Sequence, residues 1–354
     1  MTRPSHLVLA VLAVMPIAET ARAQIAGAPA EQQNPTPGNR NPAPTGEPMS
    51  GAGLFSDQRT NLLGDLFGLR ASAGNDGISF GLTETSEVFG NATGGIRRGA
   101  DYDGLTTIGI GLDTQKALGW QGGVFNVSAL QIHGRDLSAD DLFSLNTNSG
   151  IEADRTFRLW EAWYQQSFIG GMADIKIGQQ SLDQEFINSI YAGTFINTMM
   201  GWPVVPSYDL YAGGPAYPLA SLGIRLRVRA TPALTILAGV FDDNPSGGPF
   251  DNDPQLRRAE RSGTEFNLGT GALVFAEAQY AIDQPSPSPS GSGSGLPGTY
   301  RFGGWFDSAS FLDQDLDGDD VSLASSLSTG SAHARRRNFS LYAVADQMIW
   351  RPDP

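Results

Sequence analysis

Three arginines occupy alternate positions in the stretch SLGIRLRVRA: Arg225, Arg227 and Arg229. A guanidinium group carries five donors in a fixed planar fork, suited to carboxylates and to clustered hydroxyls. A second polar set lies upstream. FRLWEAWYQQ holds Glu161 and Trp163 two residues apart, and ADIKIGQQ holds Asp174 and Lys176 with the same spacing. Asp183 and Glu185 follow at once. These nine residues offer hydrogen-bonding edges, charge of both signs and one indole face. That combination suits a sugar, whose hydroxyls need donors and acceptors and whose C–H surface needs a ring. Trp202, Tyr208, Tyr211 and Tyr217 are further candidate rings. Asp183 and Glu185 have a second reading as the acid and base of a glycoside-cleaving enzyme. Plain solvated loop carboxylates explain them more simply.

The residues must be positioned by strands. In residues 221–230, Leu222, Ile224, Leu226 and Val228 fill the places between the arginines. A helix would smear this pattern around its circumference, whereas a strand separates it into an apolar and a cationic face. Similar segments recur, and the expected strands are 77–88, 103–115, 122–135, 156–168, 173–181, 221–231, 233–242, 264–282, 299–311 and 338–350. Glycine, asparagine, aspartate and proline punctuate the gaps. No amphipathic helical run intervenes. Strand lengths near ten residues match what a membrane-spanning barrel needs. In strand 156–168 the mid-strand Glu161 is expected to face inward with Trp163. Trp160 and Tyr164 are then expected to face lipid, with Arg158 snorkelling to the headgroups. Strand 264–282 is less clean, because Glu277 and Gln279 share a face with Leu273 and Phe275. The long ring- and glycine-rich segment 182–220 is read as a loop folded inward, with 183–219 as a constriction.

The N-terminus reads as a secretory signal. Arg3 and His6 precede the apolar run 7–17, and Ala21 and Ala23 match the small-x-small cleavage pattern, so the expected signal is 1–23. Residues 24–58 are rich in Pro, Gly, Gln and Asn and read as a flexible leader to a barrel domain spanning 59–354. Within 59–74 a short helix or plug-like segment is expected. The chain has no cysteine and only three histidines among 354 residues. Disulfides, thiolate metal sites and serine–histidine triads are therefore excluded or poorly supplied, and no cofactor is expected. A formal net charge of −14 argues against a nucleic-acid partner. GSGLPG (293–298) imitates a dinucleotide motif but precedes a strand-like segment rather than a helix. DQDLDGDD (313–320) begins like a calcium loop, but Ala324 stands where the bidentate glutamate belongs.

Energetics then orient the arginines. An arginine facing lipid costs roughly 2–4 kcal/mol at the bilayer midplane. Three together would cost up to roughly 6–12 kcal/mol, against a total stability of about 5–15 for many domains. If the strands span a membrane, Arg225, Arg227 and Arg229 face water. A soluble β-sandwich with a solvated cationic face explains the alternation equally well, but explains the Trp/Tyr placement and the long loop less well.

Several stretches resemble a known family. GDLFGLR (64–70), GPAYPLASLGIRLRVRA (214–230), LPGTYRFGGWFDSASF (296–311) and VSLASSLSTG…RRRNFSLYAVADQMIWR (321–351) are similar to the carbohydrate-selective porins of Gram-negative outer membranes, the OprB type. The resemblance implies an antiparallel transmembrane β-barrel of about sixteen strands, outer-membrane lipid around it, and a barrel-assembly machinery that inserts the full-length form. It implies passive diffusion of small sugars such as glucose, with no enzymatic step, past arginine and glutamate at a constriction. The matching positions are Arg225 and its neighbours, Glu161 and the segment 183–219. One departure stands out: the chain ends at WRPDP, directly after the tenth strand. An incomplete barrel lacking its C-terminal strands is therefore expected, with an unclosed sheet whose edges are 77–88 and 338–350. Pairing between those two segments would instead indicate a small closed barrel. A non-conducting structural or adhesive barrel, plugged by 59–74 and 183–219, is the competing expectation.

Overall fold

The structure is a computed structural model describing residues 62, 64–144, 146–189, 191–197, 202, 204–246, 262–284 and 295–350. The expected signal, the leader and most of the serine–proline stretch lie outside the described residues. Among the described residues ten strands form a single antiparallel sheet in sequence order: β1 (Ile78–Asn91), β2 (Gly99–Asp113), β3 (Gly123–Gly134), β4 (Thr156–Phe168), β5 (Ala173–Gln180), β6 (Ser221–Arg229), β7 (Leu234–Phe241), β8 (Leu273–Ile282), β9 (Gly298–Asp317) and β10 (Ala332–Gln347). Short helices α1 (Leu69–Asn75), α2 (Thr114–Leu118) and α3 (Val204–Asp209) sit in the leader to β1 and in two connections. The outer strands β1 and β10 do not pair with each other, so the sheet is unclosed.

Every second residue faces the same side of a strand, so register decides what shares a face. One row runs across all ten strands: Ile78, Leu112, Phe125, Tyr164, Ile177, Ile224, Val240, Val274, Phe306 and Phe339 are successive cross-strand partners. All ten are apolar or aromatic, and most are exposed. Ile224 is 54% exposed while its neighbour Arg225 is 1% exposed. An apolar face turned outward and a polar face turned inward is the pattern a lipid-facing sheet requires. Tyr164 packs on Phe125 and Trp120 beside the α2 turn, giving an aromatic cluster at one end of this face.

Connections alternate in reach. Residues 169–172 and 230–233 make tight turns at one end, whereas the longer connections that leave β3, β5, β7 and β9 start from the other. The described residues of the segment 181–220 pack inward. Its Phe186, Ile187, Trp202, Leu210 and Ala216 form one buried cluster with Leu237 and Phe241 of β7, Leu273 and Phe275 of β8 and Trp305 of β9. This explains the mixed face of β8. Leu273 and Phe275 point inward with Glu277 because the loop covers them, and all three are at most 2% exposed.

Three boundaries differ most from expectation. β8 starts at Leu273, since EFNLGTGA forms turns rather than ladder. β9 and β10 form a longer hairpin, so the first half of DQDLDGDD is strand and only residues 318–331 connect. In β4 the phase changes midway. Ser128 opposes Glu161 and Ala129 opposes Leu159, leaving Trp160 as the extra residue of a bulge. Beyond it the faces invert: Phe157 is 64% exposed, while Arg158 and Trp160 are buried. The expectation that Trp160 faces lipid and Arg158 snorkels is therefore corrected. Trp160 packs inward, edge-on to Tyr217, with Leu130, Ile132 and Ala220.

Candidate functional site: a charged cluster under the inner loop

β5 and β6 place like charges side by side. Their register sets Lys176 directly opposite Arg225, and Asp174 opposite Arg227. Like charges facing each other across a ladder are destabilising, so the Lys176–Arg225 pair needs a counter-charge. The loop supplies it. Glu185 Oε1 accepts hydrogen bonds from Lys176 Nζ and, at 3.0 Å, from Arg225 Nη2. Its Oε2 lies 2.7 Å from Arg225 Nε, a close charge contact. Burial alone would raise the Glu185 carboxyl, but Lys176, Arg225 and Arg227 outweigh it and hold it at about 2.

The remaining contacts complete the cluster. Arg225 Nη1 donates to Asp174 Oδ1, and Arg227 Nε donates to Asp174 Oδ2 at 2.7 Å. Arg225 Nη2 also reaches Gln165 Oε1 of β4 at 3.0 Å. Lys176 Nζ sits 4.6 Å from the centre of the Trp163 ring, a cation–π contact. Glu161 lies one step away at the root of the loop, where its Oε1 accepts from the Ser181 amide at 3.0 Å. Three carboxylates (Glu161, Asp174, Glu185) and three cations (Lys176, Arg225, Arg227) thus share one patch of the inner wall.

Two expected members stand apart. Arg229 donates to the Gly171 carbonyl at 2.7 Å and ties down the tight turn between β4 and β5. Asp183 faces the loop neck, accepting from Ser181 Oγ at 2.7 Å and from the Tyr217 amide at 3.1 Å. The four candidate rings also divide. Trp202 packs on Phe275 and donates to the Gly213 carbonyl at 3.1 Å. Tyr211 packs on Phe311, and Tyr217 meets Trp160. These three fasten the loop to the wall instead of presenting a face to solute; Tyr208 is half-buried. The arginines were expected to face water, but the carboxylates sit beside them, so the charge is neutralised within one wall and Arg225 is buried.

A second station holds the far side of the loop. Glu277 Oε2 accepts from the Ile187 amide at 2.9 Å and from Tyr342 Oη at 2.7 Å. Tyr342 is on β10 and Glu277 on β8, so the phenol crosses β9 at Gly303. A Cβ there would lie 2.5 Å from the phenol oxygen, so only glycine leaves the passage open. Arg301 Nη1 pairs with Asp346 Oδ2 at 2.8 Å, and Asp346 Oδ1 accepts from Ser189 Oγ. Sequence reasoning put Glu277 in the right phase but gave it no role. Arg301, Tyr342 and Asp346 carried no signal except their alternation with Phe302, Leu341 and Ala345.

The model of the family described as "Carbohydrate-selective porin, OprB family" matches residues 97–354. The chain belongs to that family. Among curated relatives, Porin B of Pseudomonas aeruginosa is 25% identical over 325 residues. The match covers 86% of this chain and 64% of Porin B, so the chain spans under two thirds of that relative's length. Among solved structures, Pseudomonas putida OprB at high pH superposes with a TM-score of 0.68 at 24% identity, over 84% of this chain and 67% of that one. The shared fold is the antiparallel outer-membrane porin barrel, to which the ten-stranded sheet corresponds.

Proposed function

We propose that this chain serves in the outer membrane of Gram-negative bacteria as a passive diffusion pore that prefers monosaccharides such as glucose. The family membership supports the porin class. The observation that carries the sugar preference is Glu185, delivered by the inner loop between Lys176 and Arg225. With that carboxylate in place, three acids balance three bases over one patch. Such a neutralised wall carries little net charge towards the passage. It favours a neutral polyhydroxylated solute over an ion of either sign. No covalent step is involved, and selectivity comes from differential hydrogen bonding along the passage. Outer-membrane lipid contacts the apolar row, and the barrel-assembly machinery inserts the protein after removal of the signal 1–23.

The test is solute uptake by proteoliposomes carrying the protein. Glucose is expected to enter faster than a zwitterion of similar size, and Arg225→Met or Glu185→Gln to narrow that ratio. Equal rates for glucose and the zwitterion would remove the sugar preference. Absence of flux for every solute would leave a structural barrel. Hydrolysis of a glycoside panel would restore the enzyme reading.

A further inference from the structure

Away from the charged cluster, three segments line a half-open cavity of about 360 Å³. Phe89 comes from the end of β1, Leu137 and Asn148 from the connection 135–155, and Phe195, Ile196 and Asn197 from the inner loop. The Gly150 amide donates to the Ile196 carbonyl at 2.7 Å and holds the last two segments together. The rim is also braced, since the Asn91 amide donates to the Gly94 and Arg97 carbonyls at 2.9 and 2.7 Å. The site is therefore built, not a chance gap between loose ends.

Its chemistry is distinctive. No charged side chain lines it. Phe195 is 55% exposed, an open ring on a loop whose other rings are mostly spent on packing. The Asn148 and Asn197 side-chain amides have no partner among the described residues. The backbone of Asn148 is fixed by Glu152 Oε2 at 3.0 Å, which steadies its amide at the cavity wall. Rings with free amides and no charge suit a solute that has an apolar face and neutral hydroxyls. Small-molecule pockets run about 300–1,000 Å³. This cavity is at the low end, room for one pyranose ring and not for a chain of them.

We propose that this cavity is a monosaccharide subsite at the long-loop end of the barrel, distinct from the charged cluster: the sugar ring stacks on Phe195 while Asn148 and Asn197 bond its hydroxyls. The subsite rests on the sugar-porin reading for its physiological use, but binding is measurable without flux. The experiment is saturation-transfer NMR with glucose on the whole chain folded in detergent, run beside proteoliposome uptake. Wild type is expected to transfer saturation to the pyranose C–H protons. Phe195→Ala and Asn148→Ala should each reduce that transfer at least threefold, with heat-modifiable gel migration unchanged. Equal transfer in wild type and both variants overturns the subsite, as does no transfer from a wild type that imports glucose. Transfer lost in the variants, together with no uptake by wild type, sustains the subsite and removes the porin reading instead.

Discussion

Replacing Glu185 by glutamine isolates the interaction that seats the inner loop. The side chain keeps its shape and loses its charge, leaving Lys176 facing Arg225 across the β5–β6 ladder with only Asp174 and Glu161 to compensate. Two routes give the magnitude. Breaking a buried ion pair from one side costs about 3–5 kcal/mol. The depression of the Glu185 carboxyl from 4.5 to about 2 corresponds to roughly 3 kcal/mol. Glu185 is 16% exposed at its side chain, so screening trims the figure only modestly. About 3 kcal/mol is a change of roughly a hundredfold in the seated-to-released ratio. The sign follows from linkage. A carboxyl depressed in the folded state contributes fully above its unfolded value of 4.5 and loses that contribution as pH falls through about 2. Urea unfolding in lipid vesicles between pH 2 and 6 should therefore show a stability drop in wild type between 4.5 and 2. Glu185→Gln should be weaker at neutral pH and lack this part of the drop. Adding Lys176→Met should recover part of the loss, because it removes the unbalanced charge. Additive effects of the two substitutions, with parallel pH profiles, would refute the reasoning.

Other substitutions separate the remaining roles. Arg227→Ala should shift the cation/anion permeability ratio in planar bilayers, whereas Arg229→Ala, which removes only the tie to Gly171, should leave that ratio unchanged. Gly303→Ala should close the passage of Tyr342 to Glu277 and also meet the Ala276 carbonyl at 2.7 Å. The expected loss is about 1–3 kcal/mol for the freed buried partners, seen as lower denaturant midpoints and faster proteolysis within 181–220. Phe275→Ala removes a fully buried ring between Phe186, Trp202 and Trp305. It should cost about 3–5 kcal/mol and release the same loop to protease. Burial, with Asp243 adding to it, raises the Asp242 carboxyl to about 6. The folded state then holds the proton more tightly, so stability declines as pH rises from 3.8 to about 6, and Asp242→Asn should flatten that slope.

Residues 221–229 were legible because nothing interrupts their alternation, and the shared face of the arginines followed from it; the burial of Arg225 at 1% exposure, instead of the expected contact with water, comes from the loop that covers it. β4 was not legible, since the bulge at Trp160 depends on what stands opposite it in β3. The same limit applied to the loop. Glu185 and the rings of 182–220 were visible as candidates, but whether a ring meets solute or wall depends on Phe275 and Trp305, far along the chain. The pairing of Lys176 with Arg225 likewise depends on register, which period-two patterning leaves open by two-residue slips.

The neck of the inner loop is closed twice at its base. Ser181 Oγ donates to the Leu219 carbonyl at 3.1 Å, and the Leu182 amide to the Pro215 carbonyl at 2.7 Å. Everything between is consequently a cassette whose entry and exit points are held together, independently of its contents. Changes of length or composition at its tip need not travel into β5 and β6, so the passage can be re-tailored to a different solute while the wall keeps its register.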